Sequence, residues 1–296
     1  MVQILVLFSI GVALALMAFN YFSLKASSEG TTEMADLARH IRDGAKTFMT
    51  QEYKTIIVVV MVVAVILSLF IEKFAGLTFV LGASMSSASC IIGMRAATYA
   101  NVRTTNKANE SKSIGETVKI ALQGGSISGL SVQAFGLLGL LLIIMVNGGI
   151  SLGETGSGFV PVLECNPTIV WLTSYSLGCS LVAMFNRVAG GNFTKAADIS
   201  ADIVAKVRRD IPEDDPRVPN TIADFIGDNV NDVAGNCSDL LESFVATVVA
   251  SLLIAVSIAN SNSALFQATV AYPLILAGGG LFSCVLGLLF VLKHKA

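Results

Sequence analysis

Long stretches of this chain carry almost no charge, and that pattern limits the fold before any residue is considered singly. Apolar runs lie near 1–22, 56–71, 76–98, 128–146, 168–186, 241–259 and 270–292. Each is long enough, or nearly so, for a helix to cross the ~30 Å of hydrocarbon in a bilayer at ~1.5 Å per residue. Composition agrees. Only 14% of the residues are charged and 54% are hydrophobic, whereas a soluble domain carries about a quarter charged residues. Mean hydropathy is +0.73. The sequence therefore predicts an all-α polytopic membrane bundle of about seven transmembrane helices, one domain over 1–296. A net charge of −2 provides no basic field and excludes nucleic acid as a partner.

Loop charges set an expected orientation. Basic residues collect in 25–54 (Lys25, Arg39, Arg42, Lys46, Lys54), in 95–119 (Arg95, Arg103, Lys107, Lys112, Lys119), in 187–217 (Arg187, Lys195, Lys206, Arg208, Arg209, Arg217) and in the tail Lys293-His294-Lys295. The intervening connections have one basic residue or none. The positive-inside rule then puts the N-terminus outside and the C-terminus inside. The first run lacks a basic n-region (Met1-Val2-Gln3) and reads as a retained helix rather than a signal peptide. Cys90, Cys165, Cys179, Cys237 and Cys284 show no metal or redox spacing and read as structural. Small residues within the runs, including the Gly125/Gly129 pair and Gly278-Gly279-Gly280, read as helix-packing contacts.

The chemistry concentrates in 187–243. Asp198, Asp202 and Lys206 recur every fourth residue and should share one helix face, and Asp224, Asp228 and Asp232 should do the same on the next helix. A turn rich in proline and acids separates them (Pro212, Glu213, Asp214, Asp215, Pro216, Pro219). In a soluble protein each stripe would be a solvated face. Here two acidic stripes on consecutive helices would face each other, and their repulsion needs cations. Hard oxygen ligands select Mg²⁺ or Ca²⁺, with Mg²⁺ usually shared with substrate phosphates. Arg187, Lys195 and Lys206 are suited to phosphate oxygens. That set suits phosphoryl transfer to water. Asp239 and Glu242 continue into the apolar run, and acids at membrane depth mark ion pathways. A hydrolytic site stacked on an ion site suggests a pump.

The stretches RVAGGNFTKAADISADIVAKVRRDIPEDDPRVPN and TIADFIGDNVNDVAGNCSDLLES resemble the membrane-bound, ion-translocating inorganic pyrophosphatases. Weaker likeness covers 28–53, 81–104 and 121–130. The resemblance implies that Asp198, Asp202, Asp224, Asp228 and Asp232 hold Mg²⁺, with K⁺ as a further cation in some members. It implies that Lys195, Lys206 and Glu213 meet pyrophosphate, with Glu213 at the rim. Asp232, Lys206 and Arg187 would form the catalytic set, with Asp232 helping to activate the attacking water. Arg187, Asp239 and Glu242 would form the ion gate. It further implies a homodimer in the cell (inner) membrane that moves H⁺ or Na⁺ across the lipid bilayer.

The sequence departs from the family pattern in two ways. Arg208 stands where the family has a glutamate two residues after the lysine, and Asn231 and Asn236 replace smaller or apolar residues. The family also has about twice as many helices, so the chain reads as the N-terminal part of such a pump, lacking the C-terminal half. The alternatives are a catalytically incomplete membrane protein that binds Mg²⁺ or pyrophosphate or scaffolds a partner, and a secondary cation transporter.

Overall fold

The computed structural model describes residues 2–148, 167–208, 210–212, 215, 218–259 and 263–293, with backbone alone at 258, 259 and 263–267. Glu213, Arg209, Arg217 and Cys165, each singled out above, lie outside the described residues. The described residues form α1 (Val2–Ala26), α2 (Thr32–Phe70), α3 (Ala75–Ser111), α4 (Ile114–Val146) and α5 (Pro167–Ala201). α5 runs on as a π-helical stretch, Asp202–Val207. Then α6 (Pro219–Asp228) passes through a second π stretch, Asn229–Gly235, into α7 (Asn236–Ala259), and α8 (Ser263–Lys293) follows. Seven of the resulting rods are long and apolar enough to cross a membrane. The protein is an all-α, multi-pass integral membrane bundle.

Several rods exceed the apolar runs that announce them. α2 has 39 residues, about 58 Å at ~1.5 Å each. Its apolar half exposes Ile57, Val58, Met61, Val62, Val65 and Leu69, a face suited to lipid. Its polar half begins at a capped N-terminus, where the Thr31 hydroxyl accepts from the Met34 N–H at 3.3 Å and Glu33 sits in the first turn. The region from 32 to 55, read above as part of a basic loop, is therefore helix. α3 likewise continues past the apolar run to a left-handed stop at Lys112 (φ 50°).

In lipid, close backbone approach and hydrogen bonds between helices replace the hydrophobic drive. α3 and α5 cross where Gly82 lies against the Tyr175 carbonyl and Gly178 against the Phe79 carbonyl. A side chain at either position would collide with backbone. Tyr175, fully buried, donates to the Phe135 and Gly136 carbonyls of α4 at 3.2 and 3.3 Å. Ser89 and Ser131 join α3 to α4 at 3.0 Å, and Asn20 donates to Ser126 at 2.8 Å to tie α1 to α4. α1 also meets α8, with Val6 against Gly278 and Phe8 beside Phe282. The first run is thus an integral part of the bundle.

A side-chain Cβ at Gly125, Gly129, Gly279 or Gly280 would meet no atom within 4 Å. On the side where a Cβ would project, Gly125 and Gly129 meet no neighbouring helix. They line an open groove instead.

The polar ends of α1–α3 are clasped by charge. Glu29 accepts from Arg42 at 2.8 Å and pairs with Arg103 at 3.0 Å. Arg103 is buried and also donates to the Ser27 carbonyl at 3.0 Å. Both guanidinium groups lie over the Tyr99 ring, at 4.8 Å for Arg42 and 5.3 Å for Arg103. The Arg42 hydrogen bond, helped by the charge of Arg103, holds the Glu29 carboxyl below the usual carboxylate range against the opposing effect of burial.

Candidate functional site: the acid-bearing helix pair

α5 and the α6–π–α7 rod pack against each other as an antiparallel pair. Gly227 sits on Thr194, and Gly190 on the backbone of Asn231. Further along, the Asn186 amide donates to Ser238 Oγ at 3.3 Å. The two acid-bearing helices thus adjoin. Pro219 at the first turn of α6 supports this locally, because proline there gives up only a donor that the helix end leaves free.

The register of that crossing spreads the acids along the pair. With Gly227 level with Thr194 and Asn231 level with Gly190, Asp224 falls near Asp198, Asp228 near Phe193 and Asp232 near Ala189. From 189 to 202 is about 20 Å of helix axis. Accordingly, no three acids, cysteines or histidines among the described residues converge closely enough to hold a metal by themselves. The donor chemistry still fits Mg²⁺, which is commonly held by one or two carboxylates together with substrate phosphate oxygens rather than by an all-protein cage.

Both helices of the pair contain a π-helical stretch. Asp202 opens one π stretch and Asp232 lies inside the other. A π-helical turn widens the repeat, which shifts Asp232 from the face of Asp228, whereas Asp202 ends the α-helical turn that begins at Asp198. Single π turns inside α-helices occur often at functional sites, and here both carry an acid of the candidate site.

The basic residues are exposed and loosely paired. Lys195 lies 3.8 Å from Asp198, and Lys206 lies 3.9 Å from Asp202. Such half-exposed contacts add little stability. Arg208 is exposed and forms no ion pair among the described residues.

Asp232 is exposed at the wall of a groove of about 690 Å³, together with Asn236, Cys237, Asn101, Gly125 and Gly129. Asn231 donates to Asp232 Oδ1 at 3.0 Å.

Past Asp232, Arg187 of α5 bridges to α7. Its Nε lies 3.0 Å from Asp239 Oδ2, and its Nη1 donates to Asn236 Oδ1 at 2.8 Å. Both members of the ion pair are about half exposed (46% and 41%). Glu242 follows Asp239 by three residues and accepts from Ser243 at 3.2 Å. Arg187 and Asp239 are thus joined directly, with Glu242 one turn away. Sequence reasoning noted Asn236 only as a departure from a pattern, and the fold makes it the second partner of Arg187.

The multi-pass bundle thus strings acids and lysines along one antiparallel helix pair, with an arginine–aspartate bridge further along the same helices. The chain matches the family described as inorganic H⁺ pyrophosphatase over residues 11–296, and it belongs to that family. It is 42% identical over 306 residues to a K⁺-stimulated pyrophosphate-energized sodium pump of Thermotoga maritima. It is 34% identical over 286 residues to a K⁺-insensitive pyrophosphate-energized proton pump of Methanosarcina mazei. Each alignment takes in 96% of this chain, which spans 41% and 39% of those relatives' lengths.

Proposed function

We propose that this chain supplies the N-terminal helices of a pyrophosphate-energised cation pump that couples Mg²⁺-dependent hydrolysis of pyrophosphate to H⁺ or Na⁺ transport. The observation that carries the proposal is the packed α5/α6–α7 pair, with exposed acids and lysines at one end and the Arg187–Asp239 bridge further along the same helices. The coverage of about 40% of the relatives fits a chain that works with further helices, either a C-terminal portion or a second copy in a homodimer. The positive-inside rule supports a cytoplasmic position for the acid-bearing ends.

The residues divide the chemistry between them. Mg²⁺, when bound, neutralises phosphate charge and orients the pyrophosphate oxygens. Asp198, Asp202, Asp224, Asp228 and Asp232 offer its carboxylate ligands, and K⁺ is a further cation in relatives stimulated by it. Lys195 and Lys206 bind the phosphates as mobile point charges, with Glu213 at the rim. Asp232 accepts a proton from the attacking water, and the Asn231 amide orients its carboxylate. Arg187 links the hydrolytic level to Asp239, and Glu242 stands next as an ion carrier. Arg208 places a positive charge beside Lys206, which weakens Mg²⁺ and strengthens attraction for the anion.

Limited trypsin digestion of membranes containing the chain tests this reading. Mg²⁺ plus pyrophosphate should slow cleavage after the arginines of 208–217 relative to Mg²⁺ alone, and the Asp198→Asn/Asp232→Ala double variant should lose that protection. Equal cleavage in all conditions would count against a pyrophosphate site on this helix pair.

A further inference from the structure

Away from the acids of that pair, one carboxylate has no hydrogen-bond partner among the described residues. Glu52 lies on α2 one turn after Phe48 and one turn before Ile56. Phe48 packs on Phe193 of α5 with ring centroids 5.0 Å apart, and Ile56 is 2% exposed. Glu52 therefore sits on the face that α2 turns toward the bundle. Both of its oxygens are closed off from solvent, and neither accepts a hydrogen bond from the described residues.

No charged side chain among the described residues compensates it either. The charged groups on adjoining α5 that could do so are engaged elsewhere, Arg187 with Asp239 and Lys195 with Asp198. Ser87 and Cys90 on α3 contribute a carbonyl and a thiol to Tyr53, not a cation. On α6 it is Ile226, an apolar residue, that meets α2, at Gly44.

A second unsatisfied acceptor stands nearby. Asn186 on α5 is 1% exposed. Its amide donates to Cys90 Sγ at 3.2 Å and Ser238 Oγ at 3.3 Å, and its Oδ1 has no donor. Tyr53, the residue after Glu52, reaches both Asn186 and Cys90. Buried oxygens on adjoining α2 and α5 are thus without a donor among the described residues, and two of them belong to an acid.

A bare carboxylate in a low-dielectric interior is too costly to persist, and folds that keep one supply a positive partner. The missing partner is a cation of small size and single charge. Mg²⁺ demands near-ideal octahedral oxygen geometry and gives up water reluctantly, so one carboxylate in a tight helical wall does not suit it. We propose that Glu52 is a binding site for a small monovalent cation, H⁺ or Na⁺, separate from the acids of the α5/α6–α7 pair, with Asn186 of α5 contributing an oxygen. The proposal does not depend on the pump reading. It makes the packing of α2 against α5 sensitive to the cation.

A thermal-unfolding series on the full chain in lipid nanodiscs tests it. Na⁺ is exchanged for choline at constant ionic strength and fixed pH, and pH is then varied without Na⁺. A ligand that binds only the folded state raises the midpoint with its concentration. The wild-type midpoint should rise with Na⁺ if Na⁺ occupies the site, or fall as pH rises and ignore Na⁺ if a proton does. Glu52→Gln, isosteric and uncharged, should lose that component. Acids elsewhere contribute equally to both proteins, so the difference reports Glu52. Glu52→Asp keeps the carboxylate one methylene short and should shift the dependence to higher cation concentration. Superimposable cation dependence in wild type and Glu52→Gln would overturn the proposal. If the Gln variant does not fold, superimposable curves for wild type and Glu52→Asp would do the same.

Discussion

Substituting Gly227 tests whether the α5/α6 contact is as tight as the fold requires. A Cβ at position 227 would stand 2.7 Å from Thr194 Oγ1, 2.8 Å from Thr194 Cα and 3.2 Å from Phe193 Cδ1. The hydroxyl can rotate away, but the Cα belongs to a continuous helix and can yield only by moving the rod. Overpacking of this kind costs about 1–3 kcal/mol, and a backbone contact belongs in the upper half of that range. Replacing glycine by alanine inside a helix returns about 1 kcal/mol of intrinsic propensity. Gly227→Ala should therefore destabilise the chain by about 1–2 kcal/mol. Gly125 is the control, because nothing lies within 4 Å of its would-be Cβ. Gly125→Ala should stabilise by up to about 1 kcal/mol. The assay is reversible denaturant unfolding of both variants in the same detergent. If Gly227→Ala is as stable as wild type, or if the two variants shift alike, the close crossing of the acid-bearing helices is not as described.

Arg187→Gln should lower stability by only ~0.2–1 kcal/mol, since its ion pair with Asp239 is half exposed. In an active assembly it should reduce ion transport more than phosphate release; equal loss of both would remove Arg187 from the gate. Glu29→Gln should destabilise the chain at neutral pH, because the lowered carboxyl of Glu29 contributes stability that is present above its ordinary value of 4.5. That contribution is lost as pH falls through the depressed value, so wild-type and variant melting curves should converge in strong acid. Curves that stay parallel at all pH values would mean that the Arg42 and Arg103 contacts do not act through the Glu29 charge. Arg208→Glu should tighten Mg²⁺ binding, so that pyrophosphate protection needs less Mg²⁺, and an unchanged Mg²⁺ titration would show that the side chain points away from the site.

The seven spans were legible because lipid-facing positions such as Val58, Val62 and Leu69 must be apolar, which leaves uninterrupted runs in the sequence. The polar halves of α2 and α3 were not. Once outside hydrocarbon, a helix needs no apolar run, and TQEYK around Glu52 reads like any charged connection. Its buried carboxylate depends on what α5 places opposite, which no local pattern encodes. The adjacency of the two acidic helices followed from their order and short connection. Their π turns at Asp202 and Asp232 did not, because a widened turn leaves no mark in residue spacing. Gly125 and Gly129 show the limit of motif reading: the spacing suits a helix contact, but in this chain the face opens onto the groove beside Asp232.

The central claim is that this chain's helix pair carries a working pyrophosphate site when joined to the remaining helices of such a pump. It is tested most directly by replacing the matching portion of the Thermotoga maritima sodium pump with this chain and measuring Mg²⁺-dependent phosphate release from pyrophosphate in membranes. The account predicts release that Asp232→Ala abolishes. A chimera that inserts and assembles but releases no phosphate, or whose release survives Asp232→Ala, would contradict it.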